Sequence, residues 1–580
     1  MKYTIYIALL SISIYAQNFD KKFLTKFETS NYFETARYDE SIQYFKNLAE
    51  ASPYAKLISF GKSPQGRDMW VLVVSKDQAF TPDDARKTGK PVMMINNGIH
   101  SGEIEGKDAS MILLREILIT KEKEKYLDNA ILLVIPIFSV DAHERFRAYN
   151  RINQNGPTEM GWRVTSQNFN LNRDWMKADA LEMRNMLRLY NEWLPEFFID
   201  DHTTDGADYQ YTVTYGVEKY TNLEVGLRNL VKQKFIPFWE NKVVEQGFLV
   251  APYVYLKNDS LEQGISEWAS GPRLSTGYMA LQNRISLLIE THMIKPYKDR
   301  VFGTKAGIEA AIQFVNNNAD ELVKLSRQAD VNSIKEYTSG KYLPIAFIND
   351  GKTKNIFNWK GIKFKKEFSE ISGREKIVYT GEKFEQEIPY YNEVMITDSV
   401  LPAKGYLIPE QFKEIVDIIK LHGINVEQLK EDKEFNVQKI KFFNPKFSQF
   451  SNESRQRIDF GYATESIKYN APAGTYYVAV NQRTIRVIVN LLEPKASDSF
   501  VKWGFFNNFF EQKEYFEDYV MEKEALKMIE KNPELKVEFE KKLNEDEAFR
   551  KNPYARLNFF YERSPYYDEQ YMVYPIMKVE

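Results

Sequence analysis

Apolar and polar residues follow two different rhythms along this chain. Up to about residue 330, runs that are apolar throughout (residues 92–95, 130–137, 197–199 and 285–289) alternate with stretches of helical spacing, as over Leu181, Met186, Leu187, Tyr190 and Trp193. Uninterrupted apolar runs predict strands buried on both faces, and the helical spacing predicts the layers that bury them. The alternation therefore predicts an α/β domain with a covered sheet. Ahead of it, residues 17–55 read as amphipathic helix. Residues 57–60 and 69–74 flank Gly61-Lys62-Ser63-Pro64-Gln65-Gly66-Arg67 as a β-hairpin. Helices are predicted over residues 108–119 and 178–194.

The texture changes near residue 330. From about 340 to 500, short β-rich runs alternate with turn residues, and residues 475–480 and 484–492 predict a hairpin in a small sandwich. A helix is predicted over residues 409–422, stopped by Gly423. Beyond residue 498 the chain is aromatic and charged, with helices predicted over 512–531 and 533–544. No fixed-period repeat interrupts these patterns.

At 580 residues the chain exceeds one ordinary core, so two or three domains are expected. The predicted division is residues 1–16, 17–330, 335–500 and 501–580. Lys2, the apolar run 3–15 and Ala16 read as an export signal, which places the mature protein in the periplasm or outside the cell. The run is too short to span a bilayer comfortably, and no second long apolar stretch follows, so no integral membrane segment is expected in the mature chain. The 78 basic and 81 acidic residues are mixed, leaving a net charge of −3 and no basic field for nucleic acid or anionic lipid. There is no cysteine, which removes disulfides, a thiol nucleophile and any thiolate metal site. A transition metal would have to be held by carboxylates and by some of His100, His143, His202, His292 and His422.

The candidate chemistry gathers at the ends of the apolar runs. His100-Ser101-Gly102-Glu103 follows residues 92–95, His202 follows residues 197–199, and Glu290 closes residues 285–289. Carboxyl ends of strands are where covered sheets collect their sites. Gly98 and Gly102 permit a tight turn that aims His100 and Glu103 at one ion. Two imidazoles and a carboxylate are the ligand set of a catalytic zinc with one open position, which leaves Glu290 as a base. A carboxylate at the end of an apolar strand is partly desolvated, raising its pKa toward that of a useful base. Asp200 or Asp201 could orient the His202 imidazole. His292 is a rival ligand, although metal bound there would crowd Glu290. The arrangement points to a metal-dependent hydrolase.

Gly98-Ile99-His100-x-x-Glu103, Asn172-Arg173, His202 and Glu290 together resemble the zinc metallocarboxypeptidases related to carboxypeptidase A. Their separations are 69, 30 and 88 residues from Glu103 to Asn172 to His202 to Glu290, and the resemblance covers about residues 35–310. It implies a carboxypeptidase-like mixed sheet flanked by helices in residues 17–330; the smaller β-rich domain and the helical C-terminal region that follow lie outside the resemblance. It further implies one Zn²⁺ per chain on His100, Glu103 and His202, with Glu290 deprotonating a water. Arg163 would stabilise the oxyanion, with Arg151 as the alternative. Asn172 and Arg173 would hold a terminal carboxylate, and Tyr278 would close over the terminal residue. Arg273, Tyr278 and Arg284 are plausible lining for the specificity pocket. The chain departs from the family at Asn170, where an aspartate is common. The expected function is removal of C-terminal residues from a peptide or protein. An amidase or acylase on cell-wall stem peptides, or a zinc-free binder of peptides or glycans, are the other readings.

Overall fold

A computed structural model describes residues 21–580, so the export signal expected at residues 1–16 lies outside the described residues. The chain forms two compact units. One runs to Ser333 and takes in Ala346–Asp398; the other comprises Ile334–Ile345 and Ser399–Glu580.

The first unit is built on an eight-stranded mixed sheet. Its strands are β1 (Ala55–Lys62), β2 (Asp68–Val74), β3 (Val92–Asn96), β4 (Ile131–Ile135), β5 (Phe197–Thr204), β6 (Val213–Val217), β7 (Val250–Pro252) and β8 (Ile285–His292). They lie in the order β1-β2-β4-β3-β5-β8-β6-β7. The central run β4-β3-β5-β8 is parallel, whereas β8 and β6 are antiparallel. The expected hairpin is β1–β2.

Both faces of the centre are covered, as uninterrupted apolar strands require. Phe197 and Ile199 of β5 join Leu287 and Ile289 of β8 in a core with the helices Glu105–Leu118 and Tyr297–Asn317. Phe198, pointing the other way, meets Trp175, whose ring lies 5.4 Å from that of Tyr278. His202 and Glu290 therefore share the Phe198 face, because side chains alternate along a strand.

The β-rich stretch expected within residues 335–500 is divided between the units. Its first part forms a long hairpin, Asn355–Ser369 with Arg374–Tyr391, whose second strand pairs with Ile265–Ser266 of the first unit. The second unit holds a six-stranded sheet and, toward its end, the helices Asp518–Lys531, Pro533–Glu545 and Pro553–Tyr561 around Met521, Leu535 and Phe560. The helix expected before Gly423 is present as Lys413–Leu421, and Gly423 takes a positive φ of 73°. The hairpin expected over residues 475–492 is not. Tyr476–Ala479 is a strand, but Ile485–Leu492 is a helix buried on every side. A helix with no solvent face needs no polar stripe, so its apolar run is indistinguishable from a strand by periodicity.

One buried acid in the first unit carries a stability prediction. Neither carboxylate oxygen of Glu182 has a hydrogen-bond partner in another residue among the described residues, and burial pushes its carboxyl up to about 7. As pH rises from the ordinary glutamate range through 7, the folded state retains a proton that the unfolded state releases, so stability falls over that window. Glu182→Gln should remove the dependence. The loss of unfolding free energy between pH 5 and pH 8 should shrink by up to about 3 kcal/mol, at about 1.4 kcal/mol per unit. Denaturant titrations at the two pH values would show an unchanged difference if the site is not titrating.

Candidate active site

The turn after β3 brings His100 and Glu103 together. Gly98 sits in the left-handed region at φ +68°, and the Glu103 N–H donates to the His100 carbonyl at 2.8 Å. Helix Glu105–Leu118 then lies close on the sheet. A Cβ on Gly106 would stand 2.3 Å from Asn97 Oδ1 and 2.6 Å from Asp201 Cβ, so this approach needs glycine. His202 is carried to the same place by the end of β5, where the parallel register sets it beside Glu290 of β8.

His100 Nδ1 and His202 Nδ1 both point at Glu103 Oε2, at 3.3 and 3.0 Å. One ligand atom from each of the three residues lies within 4.8 Å of the others, and all three are buried. The far side of each imidazole is also engaged. His100 Nε2 is 3.0 Å from Asn170 Oδ1, and His202 Nε2 is 3.1 Å from Asp200 Oδ2. Asp200 is itself held by Asn96 Nδ2 at 3.0 Å. At His100, an Nε2–H donated to Asn170 fixes the tautomer in which Nδ1 is free to bind a metal, whereas His202 Nε2 lies near both Asp200 Oδ2 and Asn172 Nδ2. The donor set thus fits a Zn²⁺ ion: two imidazole nitrogens and one carboxylate, converging, buried and oriented from behind.

The electrostatics fit as well. Burial opposes charge on Glu103, yet His100, Arg151 and His202 hold its carboxyl well below the usual carboxylate range. Burial lowers the His100 pKa, keeping that imidazole neutral. Burial also works against a charged His202, but Asp200 and Glu103 outweigh it and raise its pKa well above the usual histidine range. A cation at Nδ1 would meet Glu103, with Asp200 on the opposite side of the ring. Glu290 is 8% exposed; burial pushes its carboxyl up to about 8, with His202 opposing and Glu103 and Asp200 adding to the rise.

Arg151 and Arg163 both reach Glu103 Oε1, at 2.9 and 3.0 Å. The Arg163 side chain is 42% exposed and that of Arg151 is 12% exposed, so Arg163 is the one reachable from solvent. Asn172 and Arg173 lie in the single turn Leu171–Arg173. Asn172 Nδ2 is 3.2 Å from His202 Nε2, and its Oδ1 accepts from the Ser275 N–H at 3.1 Å. Arg173 donates to the Asn172 carbonyl at 2.7 Å.

Two expected residues, Tyr278 and Arg284, and the rival ligand His292 are elsewhere. Tyr278 is fully buried in the helix Ser275–Leu281 against Trp175 and Tyr190, and its hydroxyl accepts from Gln282 at 2.8 Å. It is a core residue, so the expectation that it closes over a substrate is corrected. Arg284 is buried in an ion pair with Asp330. His292 Nε2 donates to the Ala207 carbonyl, 2.9 Å away, and the ring packs on Tyr209 at 4.3 Å, outside the ligand cluster. Sequence reasoning in turn missed Tyr253, Tyr255 and Trp268. Tyr255 stacks on Trp268 at 4.4 Å, and Tyr253 meets the same ring at 5.5 Å. Their density between β7 and the helix Ser275–Leu281 was the available signal.

Residues 41–193 match the family model described as zinc carboxypeptidase. Carboxypeptidase 2 of Trichophyton rubrum is 21% identical over 483 residues, covering 80% of this chain and 82% of that protein. A probable carboxypeptidase 2 of Trichophyton verrucosum is 21% identical over 455 residues, covering 74% and 80%. Among solved structures, a putative carboxypeptidase A from Shewanella denitrificans is 16% identical with a TM-score of 0.36, covering 48% of this chain and 69% of that one. Carboxypeptidase A from Helicoverpa armigera is 17% identical with a TM-score of 0.34, covering 52% and 75%.

Proposed function

We propose that the chain is a metallopeptidase of the zinc carboxypeptidase kind, and that it removes C-terminal residues from peptides at the site formed by His100, Glu103, His202 and Glu290. The observation that carries this reading is the convergence of three ligand atoms within 4.8 Å, with Glu290 facing His202 across two strands. His100, Glu103 and His202 would hold one Zn²⁺ per chain. Bound there, the ion supplies Lewis-acid activation of a water and of the scissile carbonyl.

The chain's own groups do the rest. Glu290 takes the proton that the attacking water gives up and delivers it to the departing amine, as a buried carboxyl with a raised pKa is suited to do. Arg163 leaves Glu103 to meet the negative charge that develops on the carbonyl oxygen, which its exposure permits. Asn172 and Arg173 receive the terminal carboxylate of the substrate, the planar guanidinium donating two parallel hydrogen bonds to it. Asn170 orients His100 without a charge, so His100 is a weaker electron donor than an aspartate partner would make it.

We assign this chemistry to the first unit and an accessory role to the second. Lys2 and the apolar run 3–15 support export by a signal peptide. No helix among the described residues is long and apolar enough to cross a membrane.

Arg173→Ala tests the exopeptidase reading. On peptides with a free terminal carboxylate it should cost about two orders of magnitude in kcat/KM, in keeping with the loss of a charge-assisted bidentate contact. On C-terminally amidated peptides it should change little. Equal losses on both would replace carboxylate anchoring by an amidase mode of action.

A further inference from the structure

Two pockets flank Glu290 on its face of the sheet, and they differ in kind. Alternate residues of β6 follow the register Glu290 opposite Thr214 and Leu288 opposite Gly216. Leu288 and Gly216, with Glu218 just beyond, lead into a small cavity of about 30 Å³ that Ser270 and Thr276 also line. Ser275, between those two, is the residue whose N–H binds Asn172. This pocket is therefore on the side of the terminal-carboxylate residues. A cavity of that size holds about two waters, so it discriminates only among small side chains.

The other pocket opens past Thr204 and Thr214, on the far side of Glu290, and has a volume of about 240 Å³. Tyr253 lines both pockets and divides them. Four tyrosines (Tyr209, Tyr211, Tyr253 and Tyr255) and Trp359 line it, with Asp205 the one charged residue in its wall. Trp359 comes from the long hairpin beginning at Asn355, which is tied to this region by Gln210, whose amide donates to the Gly361 and Phe384 carbonyls. The volume lies below the ~300 Å³ at which sites for whole drug-sized ligands begin, and suits one long side chain.

Resting on the peptidase reading above, we propose that this aromatic pocket is a subsite for a cationic side chain, lysine or arginine, on the residue preceding the scissile bond. Aromatic faces carry negative charge and attract ammonium and guanidinium groups, the more so when water is excluded. Asp205 adds a carboxylate at the mouth, and no lysine or arginine lines the pocket to oppose it. An acidic side chain would meet repulsion from Asp205 and the ring faces. Because the terminal-residue pocket is small, selection rests on the upstream residue.

The test uses acyl-Gly-X-Ala peptides with X as Lys, Arg, Met, Phe or Asp, and the zinc-loaded full chain. The kcat/KM for Lys and Arg should exceed that for Met by about tenfold, with Asp lowest. Asp205→Asn and Tyr255→Leu should each shrink the Lys-to-Met ratio by about threefold or more. A ratio near one, or Phe ahead of both cations, overturns the subsite. Binding of the same peptides to Glu290→Gln protein, followed by tryptophan fluorescence, gives a readout independent of turnover. Selective binding of Lys and Arg peptides without hydrolysis by the wild-type chain would keep the subsite and remove the peptidase reading. Hydrolysis indifferent to X would do the reverse.

Discussion

Glu290→Gln is expected to retain about one zinc per chain and to lose turnover by roughly 10²–10⁴-fold, the range that general acid–base groups contribute. Glutamine has the shape of glutamate and leaves His100, Glu103 and His202 in place, so the metal site should survive. What it lacks is a site for the proton. Glu290 is buried, and in the absence of a metal its carboxyl is pushed up to about 8. A divalent cation at the neighbouring ligand atoms favours the ionised form and brings that value down. The sign of the pH dependence follows: kcat/KM should rise with pH as Glu290 loses its proton, and fall on the acid side as it regains it. The Gln variant should show weak residual activity without that acid limb. Metal analysis together with pH–rate profiles checks both parts. Turnover within about threefold of wild type would remove Glu290 from the mechanism, and loss of zinc would make it a ligand instead of a base.

His202→Ala is expected to have the second largest effect, and on two readouts. Loss of an outer-shell partner of a metal ligand costs about 10–100-fold in affinity, and loss of a ligand should exceed this. Zinc should therefore be absent from the variant after dialysis against a weak chelator that leaves the wild type loaded, and peptidase activity should be lost with it. The second effect is on stability without metal. His202 Nε2 is the group facing Asp200 Oδ2 at 3.1 Å, and Asp200 is fully buried. Removing one member of a buried charged pair typically costs about 3–5 kcal/mol. The metal-free variant should thus melt below the metal-free wild type, and Asp200→Asn in the same background should recover part of the difference. Zinc retained at one per chain in His202→Ala would exclude His202 as a ligand.

Much of the site was legible because its parts are local. His100 and Glu103 are three residues apart with Gly98 ahead of them, so one turn suffices to join them, and the Glu103 N–H bond to the His100 carbonyl is that turn. The strand-end placement of His202 and Glu290 follows from where the apolar runs stop. The less legible parts are those that depend on packing between distant segments. Tyr278 and Tyr253 carry the same side chain in the same stretch of chain. One is fully buried beneath the sheet against Trp175, and the other faces the pocket beside Glu290. Arg284 was a candidate pocket residue until Asp330, 46 residues on, claimed it. The helix Ile485–Leu492 was misread because its surroundings, and not its own pattern, bury every face.

The sequence alone located six of the eight strands of the first unit's main sheet, singled out the candidate ligand trio and base, and excluded thiol chemistry. These depend on residue type, short spacings and the periods of buried strands and helices, which are properties of the chain read in one dimension. The tertiary structure decided that His202 and not His292 joins Glu103, because the register of β5 on β8 sets one beside the turn and sends the other against Tyr209. It also decided that two arginines share one oxygen of Glu103, and that Trp359, more than 150 residues from His202, walls a pocket beside it. Those outcomes rest on side-chain packing across long separations, where any one of several surfaces satisfies the same hydrophobic pattern.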